Sequence, residues 1–545
     1  MKKRGFTLIE LLAVIVILAI IALIATPLIL NVIDEAKKGA FKNTAYGIVS
    51  AEELKYAQDI LAGTEEEITF TYTNGVESSN PLGKQLEYKG SKPKNGTVKV
   101  NSEGQVALAI HDGKYCAEKS YAESAVSISE KTQEECVIEE TSEVTYEYYD
   151  EAKGVNAPVL VTGMTPIKWN GNDWVNTTET DTQWYDYDNK QWANVRTEDG
   201  SYWVWIPRYA YQIANNYHTS TAGTINVKFL IDNTNTTIDD TDIAITPTYS
   251  GDSQTNYVSH PSFKFGTDEI PGIWVAKFEP SVANQSDLCY TSASETNCNK
   301  TDLTAKIIPN ATSWRYITIG NAFDVSLAMK NNAVYGWQAN EVDTHMMKNS
   351  EWGAVTYLSK STYGKVDEVW INPANDYTTG CAGDTVSSSA TTGCTNEYNK
   401  ANGQQASTTG NVYGVYDMSG GAWERTASYV DNGHDSLTTY GTSILSADSK
   451  YKDMYVVHVT DVGQYNYEAN AGIFGDAVYE TSSSGGDFTS WFTDYSNKPF
   501  SSTPWFNRGG LYYNGAYAGL FHFYRTGGNV HSGSSFRPVL LPLEQ

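Results

Sequence analysis

Apolar positions follow three different rules along the 545-residue chain. From Phe6 to Leu30 they run almost without a break, interrupted by Thr7, Glu10, Thr26 and Pro27. From Ile33 to Leu54 they recur at helical spacing through Ala36, Ala40, Gly47, Ile48 and Ala51, while Lys37, Lys38, Lys42, Glu52 and Lys55 take the outer face. Together these predict one helix reaching about Leu61, ended by Gly63 and Thr64, a rod of about 80 Å at 1.5 Å per residue. Its second half should lie against a small head. The head is predicted from short β-branched runs, ITFTYT, TVKV and QVALAI, separated by turn residues at Gly75, 94–96 and Glu103–Gly104. The stretch TVKVNSEGQVALAIHDGKYCAEK reads as a hairpin followed by a third strand that covers the helix.

Residues 141–154 are acidic and read as a linker or an edge strand. From Val155 onward the pattern changes again, to short aromatic-rich strands between long polar loops. In this third region a convincing helical period is confined to THMMKNSEWGAVTYLSKS, through Met346, Met347, Ala354, Val355 and Leu358. The expected class is α+β: a long N-terminal helix with a small β head over 31–140, then a large loop-rich domain over 155–545.

The opening run is long enough to cross a bilayer core, which needs about 20 apolar residues. Lys2, Lys3 and Arg4 precede it and should stay cytoplasmic. It differs from a secretory signal in its greater length and in lacking a small-x-small cleavage site. Glu10 is its anomaly, because an acid at membrane depth costs about 2.5–3.5 kcal/mol on insertion scales. The segment supplies no cation after Gly5. K-R-G-F-T-L-I-E resembles the leader of type IV prepilins and pseudopilins. That resemblance implies cleavage by a membrane peptidase between Gly5 and Phe6, methylation of the new Phe6 amine, and pairing of Glu10 with the amine of a neighbouring subunit. Residues 1–5 would be the leader and 6–30 the transmembrane and assembly helix, with Pro27 where the family has its helix-kinking proline. The implied partners are the prepilin peptidase, other pilin subunits, the assembly machinery and the cytoplasmic membrane. The implied location is that membrane first and a cell-surface pilus later. The head resembles that of pilins in Gram-positive bacteria.

Charge and cysteines narrow the picture. Net charge is -26, or -29 once the leader is removed, which disfavours nucleic acid and suits a self-repelling exported surface. Six cysteines form three local pairs, Cys116 with Cys136, Cys289 with Cys298, and Cys381 with Cys394, the preferred connectivity among the 15 that six cysteines permit. Export makes disulfides reasonable. The 38 Tyr and 14 Trp suit extracellular recognition, since aromatic side chains offer large contact area at small entropy cost.

Within the large domain GVYDMSGGAWERT, then RGG from Arg508, then SSFRPVL follow one another in order. These resemble the motifs of the formylglycine-generating-enzyme family, a variant of the C-type lectin fold, over roughly residues 156–545. The enzymes of that family oxidise a substrate cysteine with a cysteine pair that would lie between Arg508 and Arg537. Here that interval holds none, so the oxidase reaction is not expected. Eight histidines form no HExxH or nucleophile elbow, and His260 before Pro261 reads as packing. The family also implies calcium as the one conceivable cofactor, with Glu424 a weak candidate ligand and Gly421 in place of the family's asparagine. Binding is the better expectation. The interval LYYNGAYAGLFHFYRTGGNVHSGS faces the ligand in the lectin fold and resembles the variable segment of retroelement-diversified proteins. Tyr512, Tyr513, Asn514, Tyr517, His522, Tyr524, Asn529 and His531 are the candidate contacts for an extracellular glycan or protein; Trp505, Phe521 and Phe536 are expected in the core.

The leading function is a large minor pilin that displays an adhesin domain. A pseudopilin of a type II secretion or DNA-uptake machine, an exported enzyme on a pilin anchor, and a diversified receptor-binding protein stand beside it. Replacing Glu10 by Ala should leave membrane insertion intact or improved while the subunit disappears from sheared fibres. Mutant protein in fibres at the wild-type level contradicts the pairing.

Overall fold

The computed structural model describes residues 8–60, 68–78, 86–101, 104–121, 123, 125–138, 146–239, 241, 243–284 and 295–543, without the side chains at 22, 24–28, 57–60, 68 and 295. It is a mixed α+β chain in two compact units, Met1–Thr145 and Tyr146–Gln545.

In the first unit, α1 is a helix of 53 residues, Leu8–Ile60. Its apolar side chains from Leu8 to Ile21, with Leu23, Ile29, Leu30, Val32 and Ile33, are exposed. No helix is long and apolar enough within the described residues to cross a membrane. The run counted in the sequence includes positions 22 and 24–28, whose side chains lie outside that set. Farther along, Phe41, Ala45, Ile48, Val49, Glu52 and Tyr56 are buried, a 4-3-1-3-4 spacing that lays one helical stripe on the head. This corrects the expected face. Ile33 and Leu54 are 46% and 63% exposed and Glu52 is inside, because Phe41 and Tyr56 bury more area and set the rotation. Six antiparallel strands cover that stripe: β1 (Ile68–Thr73), β2 (Val76–Glu77), β3 (Asn95–Val100), β4 (Val106–His111), β5 (Cys116–Lys119) and β6 (Ser127–Ser129), in the order β2-β1-β3-β4-β5-β6. The expected hairpin is β3–β4, paired from Asn95–His111 to Val100–Val106, and β5 is the third strand. Cys116 is bonded to Cys136.

The second unit begins before Val155. Tyr149–Asp150 pairs with Val155–Asn156, and the Asp232 carboxylate accepts from the N–H groups of Glu147, Tyr148 and Tyr149. Residues 146–154 therefore belong to the unit rather than to a linker; 141–145 lie outside the described residues. One sheet contains β7 (Thr165–Trp169), β8 (Trp174–Asn176), β9 (Asn194–Arg196), β10 (Tyr202–Pro207), β11 (Gly272–Ala276), β12 (Val342–Met346) and, from the C-terminus, β18 (Pro538–Pro542), ordered β8-β7-β9-β10-β11-β18-β12. Its centre is tryptophan-rich: Trp205 faces Trp274 across β10–β11 with ring centroids 5.2 Å apart. A second sheet contains β13 (Trp423–Asp431), β14 (Asp453–Val456), β15 (Trp505–Gly509), β16 (Gly519–Thr526) and β17 (Ser534–Phe536), in the order β14-β13-β15-β16 with β17 also beside β13. Strand β14 is an edge, with Met454 and Val456 exposed. There the Val456 N–H donates to Asn470 Oδ1 at 2.9 Å and Asn470 Nδ2 donates to the Val456 carbonyl at 2.8 Å.

The longer helices of this unit are α2 (Ile319–Ala328), α3 (Asn349–Lys360) and α4 (Asp435–Ser446). The helix expected over THMMKNSEWGAVTYLSKS is real only from Asn349. Its first residues are the end of β12, where Thr344, His345 and Met346 pair with β18. The helix starts where Glu351 reaches back to accept the Lys348 N–H at 2.9 Å.

Long loops need partners for their backbone groups once buried. Wholly buried arginines supply many of them. Arg208 donates to the carbonyls of Thr234 and Phe263, Arg508 to those of Asp476 and Ala477, and Arg425 to those of Ile317, Gly528 and Asn529. An anionic counterpart is Glu480, buried, which accepts from the hydroxyls of Tyr211, Tyr249 and Tyr357 and from the Gly475 N–H. Burial pushes its carboxyl up to about 7. His260, read as packing, is buried between Tyr209 and Tyr211, its imidazole lowered to about 3 by desolvation.

Because the folded pKa of Glu480 lies above the unfolded value near 4.3, its contribution is fully present below that value and is lost as pH rises through about 7. His260 acts in the opposite sense at lower pH, so the useful quantity is a difference. From pH 5 to pH 8, the stability of Glu480→Gln should rise relative to wild type by about 2–3 kcal/mol in denaturant titrations. A constant offset across that range contradicts the protonated state.

Candidate functional site

Two places carry the expected chemistry, one in each unit. In the first, Gly5 and Phe6 lie outside the described residues. Glu10 is exposed in the first turn of α1, and the helix continues through position 27, so Pro27 does not end it.

In the second unit the three motif phrases meet in one sheet. GGAWERT leads into β13, RGG ends β15, and SSF forms β17, with Glu424 opposite Arg508 on one side and Ser535 on the other. Gly420 and Gly421 both have positive φ, 78° and 66°, which a double glycine adopts without strain. The asparagine expected at 421 also tolerates that region, so the replacement keeps the turn. Glu424, the weak calcium candidate, is engaged by a cation of this chain. Its two oxygens are held by Arg537, Nε to Oε2 at 2.8 Å and Nη2 to Oε1 at 2.5 Å, with both side chains fully buried. Burial raises its carboxyl to about 7 against the lowering pull of Arg537. Among the described residues no group of three or more His, Cys, Asp or Glu side chains could hold a metal ion.

Arg537 has further work. Nη1 donates to the Ala276 carbonyl on β11 at 2.6 Å and Nη2 to that of Tyr416 at 2.8 Å. Glu279 and Asp417 are buried beside the same guanidinium, both carboxyls raised by desolvation. Asp417 accepts from the Gly380 N–H and from Asn372, which fixes the loop that carries Cys381. Cys381 is bonded to Cys394, as the spacing suggested. Cys298 is buried and disulfide-bonded, while its expected partner Cys289 lies outside the described residues.

The expected recognition residues divide into three groups. Tyr513 and Tyr517 are exposed at 55% and 44%, and Tyr512, Tyr524 and His531 are partly or mostly accessible beside them. These five belong to one aromatic face. Tyr524 stacks on Trp423 (centroids 5.5 Å, 14° between planes), and His531 lies over the same indole at 5.7 Å. Tyr512 meets Tyr513 edge-on at 5.0 Å and Tyr377 at 5.1 Å, and the Arg315 guanidinium sits 3.8 Å from the Tyr377 ring. Tyr517 packs on Phe488 at 4.1 Å, and Tyr495 touches both Phe488 and Tyr524. Backbone bonds hold the face rigid: the Tyr512 N–H donates to Gly421 O at 2.9 Å and the Trp423 N–H to Gly533 O at 2.8 Å.

Asn514 and Asn529 form the second group. Asn514 Oδ1 accepts the Leu511 N–H, so it shapes its own turn, and the carbonyl of Asn529 is held by Arg425 while its side chain bonds Val530. The third group is His522 alone, and it corrects the expectation: it is 1% exposed, Nδ1–H donates to the Tyr517 carbonyl at 2.9 Å, and desolvation lowers its imidazole to about 4. The reason is that β16 is buried on both faces from Gly519 to Phe523, with the Tyr517 carbonyl and the Tyr495 ring against the imidazole. Trp505, Phe521 and Phe536 are buried, as expected. Tyr377, Trp423, Phe488 and Tyr495 were not anticipated. They come from distant parts of the sequence, and only Trp423 had a signal, standing inside the GGAWE phrase.

Comparison with known proteins bears on the N-terminal segment. Residues 1–26 match the family model described as the prokaryotic N-terminal methylation motif. The chain is also similar to the prepilin peptidase-dependent protein A of Clostridium perfringens (strain 13 / Type A), at 38% identity over 74 residues, 14% of this chain and 53% of that protein. It thus spans about half the length of the curated relative it matches. The chain carries a prepilin-type N-methylation leader.

Breaking the central ion pair should be severe. Arg537→Met leaves three buried carboxyls around an apolar side chain and should cost about 3–5 kcal/mol in urea denaturation. Retention of wild-type stability contradicts the role given to Arg537.

Proposed function

We propose that this chain is a large, minor type IV pilin-like surface protein whose second unit is a binding domain of C-type-lectin kind. Prepilin peptidase removes Met1–Gly5, the Phe6 amine is methylated, and the helix from Phe6 serves first as a membrane segment and then as the assembly element. The observation that carries the first half is the methylation-motif match over residues 1–26. The apolar, exposed N-terminal part of α1 supports it, since such a surface needs lipid or other subunits as cover. The relative's printed name, a prepilin peptidase-dependent protein, points the same way.

The lectin-like reading rests on the order of the three motif phrases and on their convergence in one sheet around Glu424 and Arg537. Recognition is assigned to the aromatic face of Tyr377, Trp423, Tyr512, Tyr513, Tyr517 and Tyr524. Broad rings fixed by stacking and by backbone bonds lose little entropy on binding. An oxidase is disfavoured because 508–537 contains no cysteine. A pseudopilus location shares the same leader; a deletion strain that still secretes and takes up DNA normally yet loses adherence argues against it.

The full-length chain in detergent, applied to a glycan array and to host-surface extracts, should bind a restricted set of ligands. The double variant Tyr513→Ala/Tyr517→Ala should weaken that binding tenfold or more, as loss of on the order of 1–2 kcal/mol at anchor residues implies, with an unchanged melting temperature. Undiminished binding by this variant rules out the face.

A further inference from the structure

One pocket of the first unit gathers lysines although both that unit and the chain are acidic. Lys37, Lys92, Lys94 and Lys114 line an open pocket of about 660 Å³, floored by Phe41, Thr44 and Tyr115. The chain as a whole carries -26. Two glycines make the convergence possible. A Cβ on Gly113 would stand 2.4 Å from Lys94 Nζ, and one on Gly90 would stand 2.2 Å from Thr44 Oγ1. The first lets the Lys94 ammonium settle against the turn that carries Lys114. The second lets the loop bearing Lys92 close on α1.

The acids at this level are already committed. Asp34 pairs with Lys114 at 2.5 Å, Glu35 with Lys38 at 3.2 Å, and Asp112 Oδ1 accepts the N–H groups of Lys114 and Tyr115. Lys37, Lys92 and Lys94 enter no such pair among the described residues. Lys114 is shared by Asp34 and, at 3.5 Å, by Glu130, and Asp112 also lines the pocket, so the excess of positive charge comes from Lys37, Lys92 and Lys94. Those three lysines at one pocket point to an anionic occupant.

The position along α1 says which anion. Lys37 is the first cation after Gly5, and the N-terminal run of exposed large apolar side chains ends at Ile33. At 1.5 Å per residue Lys37 lies about 6 Å past Ile33. The headgroup layer is roughly 5–8 Å deep on each side of the hydrocarbon core. We propose that, before assembly, this pocket holds the phosphate of an anionic phospholipid headgroup in the outer leaflet. The inference rests on the reading of residues 6–30 as a membrane segment. Its consequence is a subunit whose head is held against the membrane by charge as well as by its helix, and which must release that lipid on entering a fibre.

The test uses the full-length chain in nanodiscs of phosphatidylcholine alone, or with one third phosphatidylglycerol. Lysine acylation rates are read by mass spectrometry, with exposed Lys264 and Lys300 as internal references. Lys37, Lys92 and Lys94 should react roughly threefold or more slowly in the anionic discs, and the difference should vanish in 1 M salt, where the screening length is about 3 Å. In Lys92→Gln/Lys94→Gln, the anionic protection of Lys37 should be lost. Equal rates in the two discs overturn the proposal, and so does protection of Lys37 that survives the double variant. Protection by inorganic phosphate in detergent, equal to that in anionic discs, overturns the lipid assignment in favour of a soluble anion. Alkaline carbonate extraction is run in parallel: release of the chain defeats the membrane-segment reading, whereas retention with equal lysine rates defeats only the lipid site.

Discussion

The second unit depends on one guanidinium. Arg537 lies between β17 and β18, so the last strands of both sheets are joined by the residue that carries it. Through four donated bonds it ties β13 by Glu424, β11 by Ala276 and the intervening loop by Tyr416. Three carboxyls, Glu279, Asp417 and Glu424, are buried around it, more negative groups than one cation can balance. Desolvation raises the proton affinity of all three, and repulsion from neighbouring carboxylates adds to it at Glu279 and Glu424. A buried ion pair seldom adds much net stability over an apolar substitute, but each partner is costly to leave alone. The arrangement therefore enforces a single geometry, because any other packing strands a charge.

The same logic explains how so much irregular backbone can be buried. Arg208, Arg425 and Arg508 are wholly inside, and most of their bonds go to main-chain oxygens. Arginine suits this because it stays charged and offers five donors in a fixed fork. In the aromatic face the consequence is rigidity: Arg425 holds the carbonyls of 528 and 529, and the neighbouring turn positions His531 over Trp423.

What was legible in the sequence follows from how local the deciding forces are. The long helix, the hairpin at 95–111, the Cys116–Cys136 and Cys381–Cys394 bonds, and the burial of Trp505, Phe521 and Phe536 all follow from short-range pattern. The rotation of α1 did not, because Ile33 and Leu54 are as apolar as the residues that are buried; only the sheet's position selects Phe41 and Tyr56. Residues 344–346 fit a helical period yet pair with β18, a partner nearly two hundred positions away. His522 reads as a surface residue because composition cannot show that β16 is buried on both faces as far as Phe523. Glu424 was weighed as a metal ligand because its counter-ion, Arg537, stands more than a hundred residues on. Tyr377 and Phe488 joined the aromatic face for the same reason: a surface assembled from remote segments has no linear signature.

Strand β14 shows how one side chain can answer a danger created by crowding. A carboxamide carries the same donor and acceptor as a peptide group, and Asn470 presents both to Val456 as a neighbouring strand would. With Met454 and Val456 exposed beside it, this rim would otherwise invite a strand from another molecule. Asn470 occupies the place a foreign strand would take at Val456, so the end of this edge is closed to pairing by a side chain of the same molecule.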